Sequence, residues 1–369
     1  MIEKAPFRAV VIDYCGSCHG KCLTCLLSED ERQMEMPFFT RASLAGPLRK
    51  ATEALPPMGT FALAFGRANT LQLPEFTIDD IAVSAGVVAS HVQCDELIIE
   101  VSTSLIGKID EQIARAMAIS KAIAREAPEA HVRFLIVIDP QRIGNDAYWR
   151  NIHTFMEEMA AWRGGGDGSG DVMILNVSAR VLPDVDQLIS RIARYKSTFN
   201  VIWIGESDLP ASDEAGQMAA ALEQWFGDFY RAAKVNEIDS SLVTRADIAM
   251  QMAGSIPALS DCEKLIAMHG EVITFIAPDG RLMKGGANPI GDMDPLRYPT
   301  LFGHNEVVTN VSRDLFEFLR HPACRACEHT RACIASGVYK FALMNASKLP
   351  PEQCPSLMHC VFDQSSMCV

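Results

Sequence analysis

Along the first two hundred residues, short apolar runs alternate with longer stretches in which apolar positions recur every three or four residues. The short runs, bounded by turn-forming residues, read as strands covered on both faces, and the longer period reads as helices with one apolar stripe. Six strands are predicted: Phe7–Tyr14, Thr60–Phe65, Glu96–Val101, Val132–Ile138, Val172–Val177 and Val201–Ile204. Among the helices, Thr77–Val92 has a capping threonine, and Asp79 and Asp80 suit its positive N-terminus. In Pro183–Tyr195, Val185, Leu188, Ile189 and Ile192 share one face. Residues Gly164–Gly170 fit neither period and read as a flexible loop remote from any chemistry. Strand-helix alternation implies a parallel sheet, either open and doubly wound or curved into a partial barrel; spacing does not choose between them. In both architectures ligands gather at the C-terminal ends of the strands.

After residue 235 the pattern changes. Glu271–Ile276, the turn Pro278-Asp279-Gly280 and Arg281–Lys284 read as a β-hairpin, because Asp-Gly supplies the positive φ that hairpin turns need. The rest of the chain is rich in cysteine and poor in regular period, as in a segment organised by metal. A boundary near residue 236 divides a domain of residues 1–235 from one of residues 236–369.

Composition narrows the function. A chain of 369 residues that is 49% hydrophobic buries a large core, so disorder is excluded. Its net charge of −13 and lack of a basic run oppose a nucleic-acid partner and favour a small molecule or a peptide. There is no signal peptide and no apolar stretch long enough to span a membrane, so a soluble, cytoplasmic protein is expected. In that compartment 12 cysteines are not a disulfide framework but candidate metal or cluster ligands. Four fall within residues 15 to 25 and six within 324 to 368, while Cys94 and Cys262 stand alone and read as small buried hydrophobes.

Cys18, Cys22 and Cys25 form C-x3-C-x2-C directly after the first strand. One loop with that spacing can wrap a cuboidal cluster, and three thiolates for four irons leave one iron open to a substrate or cofactor. Zinc held by Cys15, Cys18, Cys22 and Cys25 is the competing reading, but paired C-x2-C knuckles ordinarily have a much longer intervening segment.

The motif, its place after the first strand and the six strand-helix units together resemble the radical SAM superfamily over residues 7 to 205. The resemblance implies a partial (β/α)6 barrel. It also implies a 4Fe-4S cluster on Cys18, Cys22 and Cys25 that binds S-adenosylmethionine and reductively cleaves it to a 5'-deoxyadenosyl radical, which abstracts hydrogen from a substrate. Cofactor contacts are then expected from Gly66 and Arg67 after the second strand, from Ser102, Thr103 and Ser104 closing the third and from Asp139 closing the fourth. Asn176 near the end of the fifth strand, Arg150 in the helix after Asp139, and Ile204 with Gly205 at the sixth strand complete the set. For the polar positions, a helix cap or a surface role is the plain alternative. Two departures stand out. Thr24 occupies the position before the third cysteine that is usually aromatic in the family, and Gly66-Arg67-Ala68-Asn69 stands where a Gly-Gly-Glu-like segment is usual.

Cys324-x2-Cys327-x5-Cys333 and Cys354 give four thiolates in one loop-rich segment, a saturated site that suits iron-sulfur or zinc. Coming after a hairpin with a Pro-Asp-Gly turn, they resemble the SPASM extension of radical SAM enzymes, in which this set holds an auxiliary 4Fe-4S cluster. Gly285 and Gly337 stand where the full extension has cysteines, and Cys262 is the only remnant of the site nearer the substrate, so one auxiliary cluster is expected. Cys360 and Cys368 are alternative ligands or free thiols.

The resemblance implies modification of a peptide or protein side chain as part of maturation. Oxidation through the nearer auxiliary cluster is disfavoured, while epimerisation or crosslinking stays open. Dehydrogenation or rearrangement of a small metabolite is the alternative within the same class. A degenerate iron-sulfur scaffold or electron carrier that does not cleave S-adenosylmethionine is the alternative outside it. An electron donor such as a flavodoxin or ferredoxin is the implied partner, and with the first strand starting near residue 7, no leader-peptide recognition domain is expected ahead of the barrel.

Overall fold

The computed structural model describes residues 7–12, 41–53, 55, 57–65, 69–72, 78–164, 170–177, 181–194, 199–203, 214–238, 240, 243, 247, 272–276, 282–284, 318–336 and 348–367. The strands are β1 (Phe7–Ile12), β2 (Met58–Phe65), β3 (Cys94–Thr103), β4 (Ala130–Ile138), β5 (Val172–Val177), β6 (Phe199–Trp203), β7 (Val272–Ile276) and β8 (Leu282–Lys284). Helices in the same range are α1 (Arg41–Thr52), α2 (Ile78–His91), α3 (Ile109–Glu126), α4 (Asp146–Trp162), α5 (Val185–Ile192) and α6 (Ala215–Val235). Three more close the chain: α7 (Pro322–Ala326), α8 (Thr330–Ser336) and α9 (His359–Met367). All six expected strands form, as do both expected helices, with ends displaced by a few residues.

The strand order is β6-β5-β4-β3-β2-β1-β7-β8, and the sheet is not closed. From β4 through β3, β2 and β1 to β7 every pairing is parallel, giving the α/β fold of a partial barrel. The run Ile98–Val101 shows why β3 lies inside: all four residues are buried, as a strand covered on both faces requires. β7 and β8 form the expected antiparallel hairpin. The sequence alone groups that hairpin with the cysteine-rich tail, yet β7 pairs in parallel with β1, register Arg8 with Val272 to Ile12 with Ile276, and so extends the sheet.

The chain divides into two compact units, Met1–Ile174 with Glu271–Pro295, and Leu175–Gly270 with Leu296–Val369. In the first, two buried ion pairs tie the strands. The Asp171 carboxylate, fully buried, accepts both Arg163 guanidinium nitrogens at 3.0 and 3.2 Å and the Phe134 backbone N–H at 2.9 Å. This joins the C-terminus of α4 to β4 and to the residue that opens β5. Glu100, 1% exposed on β3, is paired with Arg133 on β4. In the second unit, Ala219, Leu222, Phe226, Phe229 and Ala233 repeat at helical spacing and are buried, so α6 forms the core. The Trp225 indole donates to the Pro183 carbonyl at 2.7 Å and fixes the approach to α5. No helix among the described residues is long and apolar enough to cross a membrane.

Candidate functional site

In the first unit, β1 has β2 on one side and β7 on the other, and from its C-terminal end the chain enters the segment that carries the first cysteine set. Cys15, Cys18, Cys22, Thr24 and Cys25 lie outside the described residues. So do Gly66, Arg67, Ala68, Ile204, Gly205, Cys262, Gly285, Gly337, Cys368 and the turn Pro278-Asp279-Gly280. Asn176 is in β5, with its side chain outside the described set.

The described candidates at the strand ends fall into two groups. Thr103 and Ser104, at the end of β3, are joined to Asn69 beyond β2: the Thr103 hydroxyl donates to the Asn69 side-chain Oδ1 at 2.9 Å, and the Asn69 side-chain Nδ2 donates to the Ser104 hydroxyl at 3.0 Å. Gln112 of α3 lies within 3.3 Å of the same Thr103 hydroxyl. Leu105 comes next with φ of 52°, a conformation costly for a side chain with a Cβ, and Asn151 of α4 holds it by donating to the Leu105 carbonyl at 3.1 Å and the Gly107 carbonyl at 3.2 Å. The parallel strand ends therefore carry a polar, cross-braced rim, with half-buried Ser102 and Ser104 on it. Asp139 and Arg150 belong to the other group. The Asp139 carboxylate caps the turn after β4, accepting from the Gln141 N–H and from Arg142, both at 3.1 Å. Arg150 is exposed on α4.

The second unit holds the better defined chemistry. Cys324, Cys327, Cys333 and Cys354 all line one cavity of about 750 Å³, with Cys360, His329 and His359 also in its wall. Pro322 starts α7 at a position where a missing N–H costs nothing, which aims Cys324 inward at 5% exposure. Thr330 donates to the Cys327 carbonyl at 2.8 Å, holding the turn between α7 and α8, and α8 buries Cys333. The Ala323 N–H donates to the Pro351 carbonyl at 3.1 Å, which brings the Cys354 segment alongside. There Leu357, fully buried with φ of 59°, closes a turn on the Cys354 carbonyl. The Cys354 thiol and Ser356 hydroxyl are 3.1 Å apart, and the His329 N–H donates to the Cys327 sulfur at 3.4 Å.

Burial raises the Cys324, Cys327 and Cys333 thiols. It pushes Cys324 up to about 12, with repulsion from Cys354 and Cys327 adding to it, and Cys333 rises well above its ordinary value for the same reasons. Cys327 is raised by burial and Cys354, against the pull of the His329 N–H. Cys354 thus acts on all three others, so the four sulfurs share one locus. Four soft sulfur donors gathered at one locus fit a thiophilic metal group. The four residues expected from the sequence are brought together. Spacing did not reveal their supports, Thr330, Ser356 and the His329 N–H, because each acts across a turn or between segments.

No protein-family model and no curated protein matches the chain. Solved structures do match in fold: a histidine-tagged anSMEcpe with bound AdoMet and native anSMEcpe with bound AdoMet each give a TM-score of 0.54 at 13% identity. Each alignment covers 98% of this chain and 95% of the other. This likeness shows the fold, an α/β partial barrel built on an open parallel sheet.

Proposed function

We propose that the chain is a radical SAM enzyme that modifies a peptide or protein side chain, with one auxiliary cluster on Cys324, Cys327, Cys333 and Cys354. One observation carries the reading: a fold shared along nearly its whole length with a protein that binds AdoMet, in which the segment holding C-x3-C-x2-C leaves the C-terminal end of β1. Cys18, Cys22 and Cys25 would hold the 4Fe-4S cluster, which would supply the reducing electron for cleaving S-adenosylmethionine and so the radical chemistry for hydrogen abstraction. The chain's own residues bind and orient. Asn69, Thr103 and Ser104 present polar groups at the strand ends where a ligand of this fold sits. The C-terminal thiols face one cavity, with Cys324 and Cys333 buried and Cys327 and Cys354 half-buried in its wall. All four thiols line one cavity, which supports a single group bound by the whole set.

A second reading has its own support. Asn69 ends a Gly66-Arg67-Ala68-Asn69 segment that departs from the usual cofactor motif, and its amide is engaged by Thr103 and Ser104. Both features favour a scaffold or electron carrier that does not cleave S-adenosylmethionine. The test is to incubate the anaerobically reconstituted, reduced enzyme with S-adenosylmethionine and any short peptide found to be encoded beside its gene. The proposal requires a mass change in a peptide together with 5'-deoxyadenosine. Turnover stimulated by a small metabolite instead would move the substrate class, and no turnover with any of them would favour the scaffold.

A further inference from the structure

His329, His359 and Asp363 form a cluster that the cysteine sites do not use. His329 lies in the turn before α8 and is 8% exposed, whereas His359 and Asp363 are one helical turn apart on α9. That i, i+4 spacing puts two donors on one helix face and lets a third complete the set from another segment. The His329 Nε2 is 2.7 Å from the Asp363 Oδ1, and the His359 Nδ1 is 3.0 Å from the Asp363 Oδ2. The two imidazole rings meet edge to face at 5.2 Å, and Phe362 packs on the His329 ring at 5.8 Å. All three ligand atoms lie within 4.8 Å of one another.

From this geometry we infer a second metal site, distinct from the cysteines, in which His329 Nε2, His359 Nδ1 and one Asp363 oxygen hold a divalent transition ion of the zinc or iron(II) class. Two imidazoles and a carboxylate are the donors such ions take, and three protein ligands leave a position for water or another ligand. At the ~2.0–2.2 Å bond lengths of nitrogen and oxygen donors, a tetrahedral ion holds its ligand atoms a little over 3 Å apart, so the His–Asp363 contacts of 2.7 and 3.0 Å would open slightly in a cluster whose ligand atoms all lie within 4.8 Å. The surroundings favour a cation. Glu223 lines the adjoining cavity, with its carboxylate accepting the Cys360 N–H at 3.3 Å, so a second carboxylate stands beside the helix turn that carries His359. The site is also tied to its neighbour, since the His329 backbone donates to the Cys327 sulfur while its ring faces the new site. None of this depends on which group the cysteines hold.

The test uses the full chain, anaerobically titrated with cobalt(II), beside His359→Ala and Asp363→Asn. Both side chains are about two-fifths exposed, so neither change removes a core group. The wild type is expected to bind about one cobalt per chain more than either variant, displaceable by zinc, with the variants weakened beyond the roughly 10- to 100-fold that loss of an outer-shell partner costs. The cobalt lost must show nitrogen and oxygen coordination, with no sulfur-to-cobalt charge-transfer band, while iron and sulfide contents stay equal in all three proteins. Equal cobalt binding in all three, or a lost component carrying the sulfur band, would overturn the site and leave the cluster as a hydrogen-bonded structural array.

Discussion

Glu100 illustrates how much one buried residue constrains this chain. Burial raises its pKa above the ordinary 4.5 although Arg133 pulls it down, so between pH 4.5 and the raised value the folded chain holds a proton that the unfolded chain has lost. Stability contributed by this group is therefore complete below pH 4.5 and declines as pH rises through the folded value. Urea midpoints of wild type and Glu100→Gln should show it: the wild type gains on the variant between about pH 7 and about pH 4, and a pH-independent difference would contradict the assignment. Removing the partner is costlier. Arg133→Met leaves the buried Glu100 carboxyl without its partner and should lower stability by about 3 kcal/mol at neutral pH, read from the same denaturation curves. At this scale the sequence was partly legible. Cys324, Cys327 and Cys333 stood out because cluster ligands sit at short, repeated spacing. His329 and Asp363 are 34 positions apart and meet only once the turn before α8 lies against α9, so no local pattern announces them.

Among the elements, helices α2 and α5 and the strands β1 to β6 emerge from period, because each apolar stripe or run is set by nearest neighbours in sequence. The partnership of β7 with β1 was not legible: it joins Val272 to Arg8, and nothing in either run specifies the other. Helix α6 carries a subtler dependence. Gly216, in its first turn, faces the cysteine-bearing segment, where Gln353 donates to its carbonyl at 3.0 Å and a Cβ built there would stand 3.3 Å from the Gln353 side-chain oxygen. Gly216→Ala needs only a small shift of that flexible side chain and should be nearly neutral. Gly216→Leu should push the Cys354 segment away, removing about half the bound iron while leaving the helical circular dichroism unchanged. Full iron content in the leucine variant would show that α6 does not position that segment.

As a whole, the molecule combines a parallel-sheet unit with a polar rim at its strand ends and a unit whose cavity gathers four thiols. With one cluster on each cysteine set, reconstituted protein should carry about eight irons, and Cys354→Ser should fall to about four while keeping S-adenosylmethionine cleavage. About twelve irons in the wild type would contradict the reading of Gly285 and Gly337 as lost ligands. The fold class was legible because strand-helix alternation is repeated along the first two hundred residues. The identity of the substrate was not, since no residue pattern along the chain names it.

Reductive cleavage of S-adenosylmethionine at Cys18, Cys22 and Cys25 is the step on which the proposed chemistry depends. The most direct measurement is chromatographic quantification of 5'-deoxyadenosine after anaerobic reconstitution with iron and sulfide and reduction in the presence of S-adenosylmethionine. Wild type and Cys15→Ala are expected to yield 5'-deoxyadenosine, and Cys22→Ala none. Its absence from fully iron-loaded wild type would contradict the enzymatic reading.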